Sequence, residues 1–221
     1  MKQNQIKYCI FPITLINGAF VDIKRTTFNI MHYAINKHME SLKYGSQIEK
    51  MLAATEYLGI DFFKTIGSDN RFNEWGGYQD VDFEKIPKVR LKTDMLIDFH
   101  HNHKTEFEIA CFCALCALKS IVGNKPQAKT NFQRVIPLMV QDSHELIEKY
   151  NKRYHRDKIM EELELNWGLK KLPIPTRGFW FSFQLDHNEL AKQLVQRKQK
   201  KSELAEKKRL AIENAKKVLR E

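Results

Sequence analysis

The side chains in this sequence best placed to do chemistry are cations. Lys149, Lys152, Arg153, Arg156 and Lys158 fall within ten positions, with His155 among them, and Lys170, Lys171, Arg177 and Trp180 follow shortly. Ammonium and guanidinium groups at the start of a helix can reach phosphate oxygens, and an arginine can hold a guanine through two parallel hydrogen bonds. The chemistry on offer is ionic capture of a phosphodiester chain. Glu161, Glu162 and Glu164 come directly afterwards, so only the first turns of such a helix could approach a polyanion.

Other reactive groups are poorly arranged. Cys113 and Cys116 have zinc-ligand spacing, with Cys111 and the histidines 100, 101 and 103 nearby. A continuous helix, however, turns Cys111 away from the other two thiols, and a buried cysteine is an ordinary small hydrophobe. Asp98 and His100 lack the clustered carboxylates that metal-assisted phosphodiester hydrolysis requires. The chain carries no phosphate-binding glycine loop, no Gly-x-Gly-x-x-Gly and no Gly-x-Ser-x-Gly, and Gly76-Gly77 reads as a plain turn. A binding protein without catalysis, metal or cofactor is expected.

Elements that would position the cations can be read from spacing. Ile159, Met160, Leu163 and Trp167 lie on one side of a helix over roughly 154–166, stopped by Gly168. A hairpin follows: Leu172 and Ile174 alternate, Thr176-Arg177-Gly178 supplies the turn, and Phe179, Phe181 and Phe183 share one face with Trp180 on the other. Pro173 and Pro175 confine the first strand to an edge. Upstream, Thr105 and Glu108 form a capping box for FEIACFCALCALKSIV, apolar on nearly every side and closed by Gly123. Thr130 is expected to cap a short helix through Arg134 and Val135 that Pro137 kinks or ends. Asp142-Ser143 would cap another carrying Leu146, Ile147 and Tyr150.

The N-terminal part gives a strand or extended arm over 6–16, a helix from Thr26 or Thr27 to about Gly45, and a second helix capped by Ser46 and Glu49 and stopped by Gly59. Residues 60–92 carry mainly loop signals, with Lys88–Leu91 suited to a short strand.

Arg153-Tyr154-His155-Arg156-Asp157-Lys158, then Trp167-Gly168-Leu169, then Thr176-Arg177-Gly178-Phe179-Trp180, resembles the recognition helix and wing of winged-helix proteins from phages and mobile elements. The resemblance covers residues 150–184. It implies binding of DNA through Arg153, Arg156 and Lys158 in a groove, with Lys171 and Arg177 on the flanking backbone. The expected fold is mainly α with a small β-hairpin. A helical or extended region (1–104) precedes a winged-helix-like domain (105–185) and a basic helical tail (186–221).

Charge agrees with a polyanionic partner, DNA or RNA. The 221 residues carry a formal net charge of +10. Residues 186–221 alone contribute +5, from 11 Lys/Arg against 6 Asp/Glu. Arg197, Lys198, Lys200, Lys201, Lys207, Lys208 and Arg209 are the candidate tail contacts. Four cysteines, a poor leader sequence and the lack of a long apolar run point to a reduced, cytoplasmic protein with no membrane partner. Two other functions fit this composition: an accessory inhibitor of anti-CRISPR type that binds a host RNA-guided nuclease or its guide RNA, and a helical structural protein.

Overall fold

Cys9 and Phe11 are buried on either side of exposed Ile10, and Val89 and Leu91 are buried between exposed Lys88, Arg90 and Lys92. Burial with period two produces strands. In a computed structural model that describes residues 7–42, 49, 52, 85–141, 143–174 and 178–218, these become β1 (Tyr8–Pro12) and β2 (Lys88–Lys92). They pair antiparallel, Cys9 opposite Leu91 and Phe11 opposite Val89. A 3-10 turn, Ile13–Ile16, leads to α1 (Ile23–Leu42), and α2 (Thr93–His101) follows β2 directly and packs on α1. The first helix starts before the expected Thr26 because Asp22 caps it, its carboxylate accepting from the Arg25 N–H at 2.9 Å. Of the expected helix after Ser46 only Glu49 and Leu52 are described, both helical, and the expected loops up to residue 84 lie outside the described residues.

Next comes the apolar run, as α3 (Glu106–Val122), with both halves of its capping box made: Glu108 accepts from the Thr105 N–H at 2.8 Å, and Thr105 Oγ1 accepts from the Glu108 N–H at 3.3 Å. Ten consecutive residues, Ile109 to Leu118, are buried. Around α3 stand β3 (Ala128–Thr130), α4 (Phe132–Val140), α5 (His144–Asn151), α6 (Arg153–Asn166), β4 (Lys170–Pro173), β5 (Phe179–Ser182) and α7 (His187–Val218). The described elements are mainly helical with two small antiparallel sheets.

Three local expectations are corrected here. Asn131, not Thr130, caps α4, its side chain accepting from the Arg134 N–H at 3.0 Å, while Thr130 is buried in β3. Pro137 does not end α4, which continues to Val140 because Ile136, Met139 and Val140 all face the core; that burial outweighs one lost helical hydrogen bond. Ser143 stands at the start of α5 without a side-chain capping bond.

The hairpin is also larger than expected. β5 lies in the centre of a three-stranded sheet, order β3–β5–β4, with Thr130 opposite Phe179 and Pro173 opposite Phe179 on the other side. The proline-bearing strand β4 is at the edge, where missing N–H donors cost no ladder bond. Buried hydrophobic contact runs from Cys9 and Phe11 through α3 to Phe181, and the Phe99 and Phe112 rings lie 4.8 Å apart across residue 104. The N-terminal strands and the α3–β5 region therefore share a core.

His32, on α1, belongs to that core at 1% exposure, stacked on Phe28 at 5.9 Å. Burial pulls its pKa down from 6.5 to about 4, so it folds as the neutral imidazole. An unfolded His32 takes up a proton below about pH 6.5 and the folded one only near pH 4, so stability falls with acidification across that window. The loss is on the order of 3 kcal/mol. Urea midpoints measured from pH 7 to pH 4 should show that decline, reduced in His32→Gln; an identical slope in the variant contradicts it.

Candidate nucleic-acid interface

Helix α6 begins where Lys152, in extended conformation (φ −65°, ψ 135°), breaks the chain direction after α5. Its inner side carries Ile159, Met160 and Leu163, all buried against the core. At its C-terminus the Leu169 N–H bonds back to the Leu163 carbonyl at 3.0 Å, and Gly168 adopts φ +76°. This left-handed glycine stop is a standard helix ending and sends the chain straight into β4.

Two of the three glutamates in the acidic half of α6 are held in internal contacts. Glu162 accepts from Asn166 and from the Trp167 indole N–H at 3.0 and 3.1 Å. Glu164 pairs with Lys171 of β4 at 2.6 Å, both partly buried, which ties the end of the helix to the ribbon. The N-terminal half is cationic. Lys152, Arg153 and Lys158 are exposed. Arg153 makes only an open pair with Asp157 at 3.3 Å, 89% and 63% exposed, and Lys158 lies 4.6 Å from the centre of the Tyr154 ring. Pairs this exposed hold little energy and release their cations readily.

The other expected contacts are in different surroundings. Lys149 does not open α6: it sits in the last turn of α5, its ammonium bound to Glu106, which also accepts from Tyr150 at 3.0 Å. Those bonds, Lys149 first, hold Glu106 below the usual carboxylate range. Arg156 is half-buried, its guanidinium 4.9 Å from the centre of the Phe132 ring and its Nε enclosed. His155 packs edge-on between Tyr150 and Tyr154 at 5.8 and 5.4 Å. Lys170 is half-buried on β4, opposite Ser182. Trp180 faces away from Phe179 and Phe181, as expected, and the Arg197 guanidinium lies 5.1 Å from its ring centre. Arg177 lies outside the described residues.

The tail is helical from its cap. Asp186 Oδ1 accepts from the Glu189 N–H at 2.8 Å, and the Glu189 carboxylate accepts from the Asp186 N–H at 3.1 Å. Leu190 is fully buried and α7 rests on β4, with Gln127 donating to Gln193 at 3.0 Å. From Val195 to Ile212 every residue is exposed, Lys198, Lys200, Lys201, Lys207, Lys208 and Arg209 included. Arg209 pairs with Glu206 at 2.7 Å.

Comparison with protein-family models, with curated proteins and with solved structures finds no match to this chain. Chemistry at the remaining candidates is limited. Cys111, Cys113 and Cys116 are buried in the α3 core, and burial pushes the Cys111 thiol up to about 12 and raises the other two as well. A thiol this hard to ionise is a poor nucleophile. Among the described residues no group of three or more His, Cys, Asp or Glu side chains is placed to hold a metal ion, and no helix is long and apolar enough to cross a membrane. Sequence reasoning missed Lys129, exposed on β3 opposite Trp180, because a three-residue strand leaves no periodic signal.

Proposed function

We propose that this chain is a nucleic-acid-binding protein of the winged-helix type found in phages and mobile elements, acting in transcription or replication. The observation that carries the reading is the polarity of α6. Its first turns present Lys152, Arg153 and Lys158 to solvent, while its far end is tied to the ribbon through Glu164 and Lys171. The order of elements supports it: a capped helix, a short strand, further helices and a ribbon whose second strand pairs with the short one. Lys152, Arg153 and Lys158 contact the phosphate backbone or base edges.

Affinity then depends steeply on salt, because each neutralised phosphate releases a counterion. With a labelled 25-base-pair duplex, log affinity should fall linearly with log salt at a slope of about −3 or steeper. A slope near zero, or no binding at 50 mM salt, counts against the proposal. Recovery from lysate of a protein partner that survives nuclease digestion would favour an inhibitor of a host nucleoprotein instead.

A further inference from the structure

A second cationic site lies at the end of the ribbon away from Gly178. A cleft of about 520 Å³ opens between β1, β2, the end of α3 and the residues after β5. Its lining includes Lys88, Arg90, Lys119 and Lys125, and among the described residues no carboxylate. Two aromatic rings hold cations at its wall: the Arg90 guanidinium is 4.2 Å from the centre of Tyr8, and the Lys119 ammonium 4.5 Å from that of Phe183. Ser182 pairs with Lys170 at the base of β4, so Phe183 and Gln184 belong to the opposite end of the ribbon from Gly178.

Lys119 is the informative residue. It is half-buried, and no carboxylate forms an ion pair with it among the described residues. Burial depresses its pKa, and Lys92 and Arg90 repel it further. A half-buried ammonium surrounded by like charge is costly, and an incoming anion relieves both terms. The carbonyl end of α3 offsets part of the positive field, but four cations outweigh about half a negative charge. Gln184 and Asn124 add amides able to hydrogen-bond a phosphate or a base edge.

We propose that this cleft binds a phosphate-bearing nucleotide unit, carried either by a single strand or by a free nucleotide. Cations beside aromatic side chains are the recurring composition of single-strand sites, and the volume suits one nucleotide. The assignment does not depend on duplex binding by α6.

The test uses the full chain and a labelled dT15 oligonucleotide, read by fluorescence anisotropy, with AMP as competitor. Arg90→Gln with Lys119→Gln should weaken dT15 binding about tenfold. Lys88→Gln with Lys125→Gln, at exposed positions where folding is not at stake, should weaken it severalfold. Arg25→Gln with Lys192→Gln, exposed cations outside both the cleft and α6, should leave it within twofold. Displacement by millimolar AMP assigns a free nucleotide; loss in the cleft variants without AMP competition assigns a chain. Unchanged dT15 affinity in both cleft variants overturns the site, as does an equal loss in the Arg25/Lys192 control, which would mark unspecific charge attraction. Duplex affinity of the Lys152→Ala/Arg153→Ala/Lys158→Ala variant, measured in parallel, reports on α6.

Discussion

Replacing Lys152, Arg153 and Lys158 together by alanine should weaken duplex binding by roughly a hundredfold at 0.1 M salt and make the salt slope shallower by about 2 to 3. Thermal stability should barely move. All three side chains are exposed, and among the described residues none has a buried partner. The Arg153–Asp157 pair contributes at most about 0.5 kcal/mol. Arg156 behaves differently. Its stem and guanidinium cover Phe132, so Arg156→Ala should cost roughly 1 kcal/mol through lost packing and cation–π contact. A double change at 153 and 156 would mix the two effects. Gel-shift titration at three salt concentrations, beside a melting curve, separates them. Wild-type affinity and slope in the triple variant would remove the proposed interface.

The largest expected effect on folding comes from a glycine. Gly178 has φ +96°, and a Cβ there would lie 2.2 Å from the Thr130 carbonyl oxygen, 3.1 Å from its carbon and 3.2 Å from Asn131 Cβ. Backbone cannot give way as a flexible side chain can. Gly178→Ala must therefore push β3 from β5 as well as strain its own φ, at a cost of at least about 3 kcal/mol. Gly168 is the control: φ is +76°, but its Cβ would meet nothing within 4 Å. Gly168→Ala carries only the conformational term, about 1–2 kcal/mol. Urea unfolding of the two variants should give clearly unequal losses; equal losses would mean that the β3 contact does not exist.

The contrast between these glycines shows what could be read from the sequence. Both are turn signals there, and both mark element ends. Only the pairing of β3 with β5 distinguishes them, a contact across almost fifty residues that no local pattern encodes. The central helix was legible because capping box, apolar run and terminal glycine are all local. The edge position of β4 followed from Pro173 for the same reason. Thr130 was misread because a Thr or an Asn at adjacent positions serves equally well as a cap, and the choice falls to burial. Among the cations, the sequence located the cluster but could not sort it. Glu106 is 43 residues from Lys149, and Phe132 is 24 from Arg156. The cleft of Lys88, Arg90, Lys119 and Lys125 was invisible, being assembled from separate segments.

Every cysteine of the chain, Cys9, Cys111, Cys113 and Cys116, is shut inside the core with its thiol protonated at neutral pH. The folded protein is thus a blank background for maleimide chemistry. One cysteine introduced at an exposed site such as Leu165 or Leu204 would take up label alone, without removing any natural residue of the interior. With cysteines at both positions, a pair of fluorophores or spin probes could report the distance between α6 and α7 with no native cysteine to compete.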